Sequence, residues 1–429
     1  MERGKTETKQ TVMKPSTAVT RGFLNIETKW LVLLVIGLGT FMSALDGSIV
    51  NAILPVIKDY LNTDVATIEW VVTVYLLVVS GLLLSVGRLG DLRGNKTTYI
   101  SGFFIFVLGS VLAGFSPSAS YLIGSRGLQA VGSAMLFANA PAILTKIFPA
   151  SQWGRALGLQ GTMTYLGLTT GPFLGGWLAD HLSWHYVFFI NAPIGLLAIW
   201  LSLKVIPGDM PAGQGEPFDL KGALAFMIGL TTLLFALNKG ESWGWLSFPI
   251  LGLLAVSLLV LFIFIRIEQQ VETPMLDLSL FKNKVFTIST ISPVLNYMCI
   301  YSVLFLMPFY LIHGRGLKAS HAGLILTAQP IVMALTAPLS GSFSDRVGSR
   351  LPTTLGMLIF AAGLFMLGCA TPPISASLFW NLRPAAWGSV CLYPPTTVPS
   401  WVRPRPTGRG LLRVCWHWPA MWAWFWGSA

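Results

Sequence analysis

The stretch GRLGDLRGNK, from Gly87 to Lys96, places four charged side chains between two long apolar blocks. A second stretch, GSFSDRVGSR, from Gly341 to Arg350, has glycine, aspartate and glycine at the same spacings. The same charged turn is therefore written twice in a chain of 429 residues. Such self-similarity indicates an internal repeat.

The composition around these turns is that of an integral membrane protein. Hydrophobic residues make up 54% of the chain and charged residues only 10%, too few to cover a water-soluble globule. The formal net charge of +11 would favour a nucleic-acid partner in a soluble protein. Here the basic residues lie between apolar blocks, so we attribute them to membrane topology and expect the lipid bilayer, and no nucleic acid, as partner.

The cysteines have neither metal-ligand nor redox spacing; they are Cys299, Cys369, Cys391 and Cys415. We interpret them as structural and expect no metal and no cofactor. The sequence also has no phosphate-binding loop of the form GxxxxGKS or GxxxxGKT, and no cluster of nucleophile, base and orienting group. ATP-driven pumping and enzyme activity are therefore not expected.

Apolar blocks that approach the length of a membrane span occur eleven times. A hydrocarbon core of about 30 Å needs about 20 helical residues. The blocks lie near residues 30–56, 68–87, 97–115, 121–145, 156–179, 185–203, 220–238, 246–265, 285–312, 321–341 and 351–371. We therefore predict an all-α integral membrane fold with about eleven transmembrane helices.

The distribution of lysine and arginine predicts the orientation of these spans. With the tail of residues 1–29 in the cytosol, 18 basic residues fall in inside segments and four in outside segments. This asymmetry is the positive-inside pattern. The tail lacks the short apolar core of a signal peptide, and we expect a multi-pass protein of the plasma membrane with a cytosolic N-terminus. Both charged turns then lie on the cytosolic side, after spans two and ten.

The repeated turn resembles the cytosolic loop signature of the major facilitator superfamily. The matching residues are Gly87, Arg88, Asp91, Arg93, Gly94 and Lys96 in the first copy, and Gly341, Asp345, Arg346 and Gly348 in the second. Glycines permit a tight turn and close helix approach, and the aspartate can bind cationic neighbours or cap a helix. The resemblance implies parallel helical repeats around a central substrate site, with each turn acting as a conformational latch. An ordinary positive-inside loop is the alternative.

Span four contains LIGSRGLQAVGSA, Leu122 to Ala134, which resembles the family's signature for that span at Arg126 and Gln129. An arginine inside a membrane is costly and is functional by default, because it needs a partner or a water-filled cavity. The alternative is an arginine that snorkels to the outer interface from the first turn of the helix.

Span one contains LDGSIVNAILP, Leu45 to Pro55, which resembles the signature of the fourteen-helix drug:proton antiporters, the EmrB and QacA type. Its Asp46 is a candidate for proton coupling or cation binding, and a structural hydrogen bond to nearby backbone is the alternative. Together, Asp46, Arg126 and Gln129 are our candidates for proton coupling or substrate binding. The stretches EWVVTVYLL and WHYVFFINAPIG resemble the same branch, with His185 in place of the usual arginine.

Span five contains GLTTGPFLGG, which resembles an antiporter signature at Gly167, Gly171, Pro172, Gly175 and Gly176. Small residues let helices pack closely, and proline frees a backbone carbonyl. A generic packing face of small residues is the alternative. The resemblance implies a monomeric exporter that exchanges protons for drugs or other amphipathic small molecules.

Glycines Gly87 and Gly341 are 254 positions apart, too far for one six-helix half and a short linker. We divide the chain into a cytosolic tail, a six-helix bundle, a cytosolic linker, two additional central helices, the first three helices of a second bundle, and an atypical tail. Their bounds are 1–29, 30–203, 204–219, 220–265, 266–371 and 372–429.

Residues 372–429 differ in character from the rest of the chain. They contain no Asp, Glu or Lys but eight of the sixteen tryptophans, and prolines interrupt every apolar run. We interpret this segment as out of frame, which leaves about eleven of fourteen expected helices; an authentic interfacial aromatic segment is the alternative. The competing functional hypothesis is accordingly a non-transporting fragment of such an exporter.

Overall fold

The structure, a computed structural model, describes residues 28–208, 216–271, 273–311, 319–348 and 350–369. In these ranges the chain is helical apart from turns and short connections, and it forms no strand. The predicted all-α fold is confirmed. The tails 1–27 and 370–429 lie outside the described residues, and with them the whole segment 372–429 that is interpreted as out of frame.

Thirteen α-helices follow one another in the described part of the chain. They are α1 (Thr28–Tyr60), α2 (Val65–Ile68), α3 (Trp70–Arg93), α4 (Asn95–Gly114), α5 (Ala119–Ile147), α6 (Trp153–His181), α7 (Tyr186–Phe189), α8 (Asn191–Val205), α9 (Leu220–Trp243), α10 (Phe248–Gln270), α11 (Lys284–Phe309), α12 (Ala319–Val347) and α13 (Arg350–Cys369). Except for the short α2 and α7, they match the eleven predicted blocks in order.

Seven segments of the described chain are long and apolar enough to cross a membrane. They are α1, α2 with α3, α4, α5, α7 with α8, α9, and α10. The long helices α6 and α12 fall below this threshold, since glycine, threonine and serine dilute their apolar residues. Helices α11 and α13 contain shorter apolar stretches, Phe286–Ile300 and Arg350–Phe365.

The two copies of the charged turn share one backbone feature. Gly94, between α3 and α4, has φ of +96°, and Gly348, which follows α12, has φ of +86°. Only glycine adopts this region readily, because it has no Cβ. The last glycine of each turn therefore permits the reversal that brings the next helix back.

Helices α1 to α8 form one bundle, in which α1 packs on α6, and α3 and α4 both pack on α5. Two clusters of buried apolar side chains fill it, one around Ile49 and Leu122 and the other around Tyr99 and Phe103. Helix α9 packs on α3, and α10 packs on α9. Helix α12 packs on α6, which makes this pair the main contact between the bundle and the later helices.

Candidate functional site

Asp46 lies in the middle of α1 and is 0% exposed. Its carboxylate accepts three hydrogen bonds: Oδ2 from Arg126 Nη1 at 2.5 Å, and Oδ1 from Gln129 Nε2 at 2.8 Å and Asn191 Nδ2 at 3.0 Å. The donors belong to α5 and α8, so the carboxylate points into the first bundle. The structure thus brings all three predicted residues together and adds Asn191.

Arg126 is held on every side in the bundle interior. Its guanidinium also donates to Gln129 Oε1 at 2.7 Å and, through Nε, to the Val71 carbonyl at 3.3 Å. It lies 4.1 Å from the centre of the Tyr75 ring, a cation–π distance. With 1% of its surface exposed, this arginine is paired with Asp46 rather than snorkelling to an interface.

Neutral polar side chains, to which the sequence analysis assigns no role, complete the cluster. Asn191 Nδ2 donates to Ser110 Oγ at 3.0 Å, and that hydroxyl donates to the Phe188 carbonyl at 2.9 Å. Tyr75 donates its hydroxyl to Ser133 Oγ at 2.7 Å. An asparagine two residues before a proline, within the apolar run FFINAPIG, is the sequence signal that could have pointed to Asn191.

This arrangement limits what the site can do chemically. Every hydrogen-bond partner described for Asp46 belongs to the first bundle, and Asp46, Arg126 and Gln129 are all within 1% of full burial. A small-molecule substrate therefore has no access to the carboxylate in this state. A proton needs far less room than a drug, so the geometry suits proton binding better than substrate binding.

Arg88 of the first charged turn lies near the C-terminal end of α3 and is 2% exposed. It donates to Glu216 Oε2 at 2.5 Å, which ties α3 to the segment that precedes α9. Lys96, at the start of α4, donates to the carbonyls of Leu203, at 3.2 Å, and Ile206. These contacts fasten the first turn to its own half and to the linker.

The rest of the first turn packs on α5. Asn95 Nδ2 donates to Asn139 Oδ1 at 2.9 Å, and Lys146 donates to Asn95 Oδ1 at 2.5 Å. Gly87, Asp91 and Gly94 are buried, and Arg93 is exposed. None of the hydrogen bonds described for this turn reaches the later helices, so its predicted role as a latch between halves remains a prediction.

The second charged turn does reach across to the first bundle. Asp345, near the end of α12, accepts hydrogen bonds from the backbone N–H groups of Gly154 at 2.7 Å and Arg155 at 2.9 Å. These groups belong to the first turn of α6, where the helix dipole favours a negative charge. Arg346 and Gly348 are exposed. Asp345 is thus a cap supplied to α6 by a different part of the chain.

Glycines make this contact close. A Cβ at Gly154 would overlap the Gly341 carbonyl oxygen, and a Cβ at Gly158 would lie 2.6 Å from the Ala337 carbonyl oxygen. Farther along, Thr162 Oγ1 donates to the Ala334 carbonyl at 3.0 Å. The two helices meet backbone against backbone.

The antiporter signature lies in the C-terminal half of α6 and packs against α1. A Cβ at Gly167 would lie 2.6 Å from the Phe41 carbonyl oxygen, and one at Gly175 would lie 2.8 Å from Ile49. At Gly171 it would overlap the Ser48 hydroxyl. These three glycines, four residues apart, form a row beside the part of α1 that carries Asp46. Gly176 faces open space, and Pro172 is exposed.

Among the described residues, no group of three or more His, Cys, Asp or Glu could hold a metal ion. Comparison with known protein families gives a match over most of the chain: residues 36–397 match the Major Facilitator Superfamily. The chain belongs to the Major Facilitator Superfamily. It is therefore a multi-pass membrane transporter and not an enzyme, as predicted.

Two relatives of this transporter are named for different activities, riboflavin transport and multidrug resistance. It is 38% identical over 352 residues to "Riboflavin transporter RibZ" of Clostridioides difficile (strain 630), over 81% of this chain and 75% of the relative. It is 32% identical over 373 residues to "Multidrug resistance protein Stp" of Mycobacterium tuberculosis, over 86% and 69%. The solved proton:xylose symporter XylE has a TM-score of 0.63 at 16% identity, over 94% and 87%, which shows a shared fold.

The Asp345 cap provides a first test of the contact between α6 and α12. We expect Asp345→Ala to lower the free energy of unfolding of the purified transporter by about 1 kcal/mol, because two N–H groups lose their acceptor. Asp345→Asn, which keeps one oxygen, is expected to lose less. Chemical unfolding in detergent measures both, with the exposed neighbour Arg346→Ala as control. An equal loss in the control would contradict the cap.

The glycine row on α6 provides a second test. We expect Gly171→Leu to impair transport and to destabilise the protein by about 1–3 kcal/mol, since the side chain must push α1 and α6 apart. Gly176→Leu, five residues on and facing open space, is the matched control and is expected to keep transport. Substrate efflux at equal membrane abundance compares them. Equal activity of the two variants would show that the row is not a tight interface.

Proposed function

We propose that this transporter is a proton-coupled exporter, which exchanges protons for drugs or other amphipathic small molecules across the plasma membrane with its N-terminus in the cytosol. The observation that carries the proposal is the buried ion pair of Asp46 and Arg126. Burying an ionisable residue inside a membrane costs free energy. Such residues are therefore rare, and those that occur commonly mark proton and ion pathways.

The pair of Asp46 and Arg126 links proton binding to the conformation of the bundle. When Asp46 is ionised, its attraction to Arg126 and the donors on α5 and α8 holds α1 against these helices. When Asp46 is protonated, the attraction between opposite charges is lost and only hydrogen bonds remain, so the free energy of this arrangement of the three helices rises relative to other arrangements. Proton binding therefore favours one conformation of the bundle over the other, which is the requirement for alternating access.

The relatives and the helix pattern support the direction and the branch. A multidrug resistance protein is 32% identical to this chain, and GLTTGPFLGG resembles an antiporter signature. The hairpin of α9 and α10 packs on the outside of the first bundle through α3. Two helices between the halves of the chain are what the resemblance to the fourteen-helix branch implies, and we propose that the chain belongs to this branch.

The test is proton movement in inverted membrane vesicles. In vesicles acidified by respiration, adding a transported cationic drug is expected to release protons, followed with a pH-sensitive dye. Asp46→Asn is expected to abolish this release, because the residue can no longer bind and give up a proton. Asp59→Asn, at the exposed end of the same helix, is the control. Release that persists in Asp46→Asn would overturn the proposal.

Riboflavin or a similar planar vitamin is a second candidate substrate, favoured by the 38% identity to a riboflavin transporter. Radiolabelled riboflavin movement, measured with and without a protonophore, separates this candidate from drug export. Transport of riboflavin with no effect on drug resistance would favour it.

The composition of residues 372–429 favours a further alternative, a chain that inserts but does not transport. Expressing the 429-residue chain in a host without its own drug exporters, after resequencing the gene around codon 371, tests this hypothesis. We expect no proton-dependent resistance if the segment is out of frame. Resistance that a protonophore removes would show that the segment is authentic.

A further inference from the structure

Protonation of Asp46, on which the proposed function rests, changes the carboxyl group from a pure acceptor into a donor. The new O–H must find an acceptor inside the bundle, because a buried donor without one costs free energy. The question is which of the three side chains around Asp46 can provide that acceptor.

Two of the three cannot. Arg126 has donors but no acceptor. Gln129 has a side-chain carbonyl, but its Oε1 accepts from Arg126 Nη1 at 2.7 Å, and turning this oxygen toward Asp46 would leave two donors, Gln129 Nε2 and Arg126 Nη1, facing each other. Asn191 differs from both, because its Oδ1 is buried and has no hydrogen-bond partner among the described residues. It is 1% exposed, so bulk water does not reach it.

We infer that Asn191 is the residue that accepts the hydrogen bond of protonated Asp46, and that the proton resides on Asp46 Oδ1, which faces Asn191. In the present state the amide must point its Nδ2 at the carboxylate. The amide oxygen Oδ1 in that place would be an acceptor facing the negatively charged Asp46 carboxylate, which is also an acceptor. Rotation of the amide about its last side-chain bond exchanges donor for acceptor without moving the backbone.

The chemical step is one proton transfer. A hydronium ion gives up its proton, so that one of its O–H bonds breaks, one O–H bond forms at Asp46 Oδ1, and water is left; no change of oxidation state occurs. Release to the other side of the membrane reverses it. Arg126 keeps its contact with Oδ2 throughout, so the ion pair loosens without the arginine being left alone.

The position of Asn191 gives this rotation a consequence. The residue begins α8, directly after the break that follows α7, and its Nδ2 also donates to Ser110 at 3.0 Å. Ser110 in turn binds the Phe188 carbonyl at the end of α7. Rotation therefore alters the hydrogen bonds at the junction of α7 and α8, and Asn191 acts as a positioning residue that passes the proton occupancy of Asp46 to α8.

Infrared difference spectroscopy of the purified transporter in lipid tests the inference without transport. A pH titration is expected to show the carbonyl stretch of a protonated carboxyl group, and its loss in Asp46→Asn assigns it. Asn191→Leu, of similar size but without an acceptor, is expected to shift this band to higher frequency. Asn191→Ala is the second variant, in case leucine prevents folding. Ser257→Ala is the control, because Ser257 is equally buried but lies on α10, where its hydroxyl donates to the Gly229 carbonyl.

A band that keeps its frequency in both Asn191 variants would overturn the inference and leave proton binding by Asp46 intact. An equal shift in Ser257→Ala would also overturn it, by showing that the band responds to any loss of packing. The absence of an Asp46-dependent band at every pH would instead remove the proposed function, and the inference with it.

Discussion

Replacing Arg126 with alanine is expected to abolish proton-driven exchange and to lower the free energy of unfolding by about 3–5 kcal/mol. The reason is that Asp46 would remain buried without its counter-charge, and breaking a buried ion pair from one side costs about that much. Proton release in inverted vesicles measures the first effect, and chemical unfolding of the purified protein measures the second.

Arg126→Lys is expected to restore little of the lost activity. The guanidinium contacts Asp46, Gln129 and the Val71 carbonyl at once and stacks on the Tyr75 ring, and a compact ammonium group cannot make this planar set of contacts. Arg266→Ala removes an exposed arginine of α10, outside the predicted site residues, and is the control for loss of charge alone. Full exchange by the lysine variant would show that only the charge matters.

Replacing Gly154 with leucine is expected to stop transport while leaving membrane insertion unchanged. The side chain would occupy the space of the Gly341 carbonyl and press on the Asp345 carboxylate, so α6 and α12 could not close. Insertion depends on the hydropathy of each segment and not on this contact.

The matched control is Gly124→Leu, because a Cβ at Gly124 meets nothing within 4 Å. Substrate efflux and membrane abundance are compared for the two variants. Normal efflux by Gly154→Leu would mean that the close contact of α6 and α12 is not part of the transport cycle.

Charge and glycine patterns were enough to predict much of this molecule. The eleven apolar blocks correspond to eleven helices. The sequence alone also predicts Asp46, Arg126 and Gln129 as site residues, and the structure brings these three side chains into contact. An ionisable group in an apolar block stands out in a sequence because it is rare there. The repeated turn was also visible, and its last glycines share the same unusual backbone conformation.

Other parts of the site leave no such trace. Asn191 and Ser110 are neutral and occur anywhere, so their importance follows only from the three-dimensional approach of α4 and α8 to α1. Likewise, four glycines looked equivalent in the antiporter signature, yet Gly176 touches nothing. Which glycine faces a partner depends on how α6 is rotated, and tertiary packing decides that rotation.

The glycines between α6 and α12 also bear on how fast this transporter can turn over. Gly154, Gly158 and Gly341 have no rotamers, so opening and closing their contact neither frees nor freezes side chains. What resists separation is the apolar contact around Tyr165 and Ala337, together with three hydrogen bonds: the two to Asp345 and the one from Thr162 to the Ala334 carbonyl. At a net value of about 0.5 kcal/mol each, these hydrogen bonds fix the register of α6 on α12 and add little to the free energy of separating the two helices, as the proposed alternating access would require of this contact.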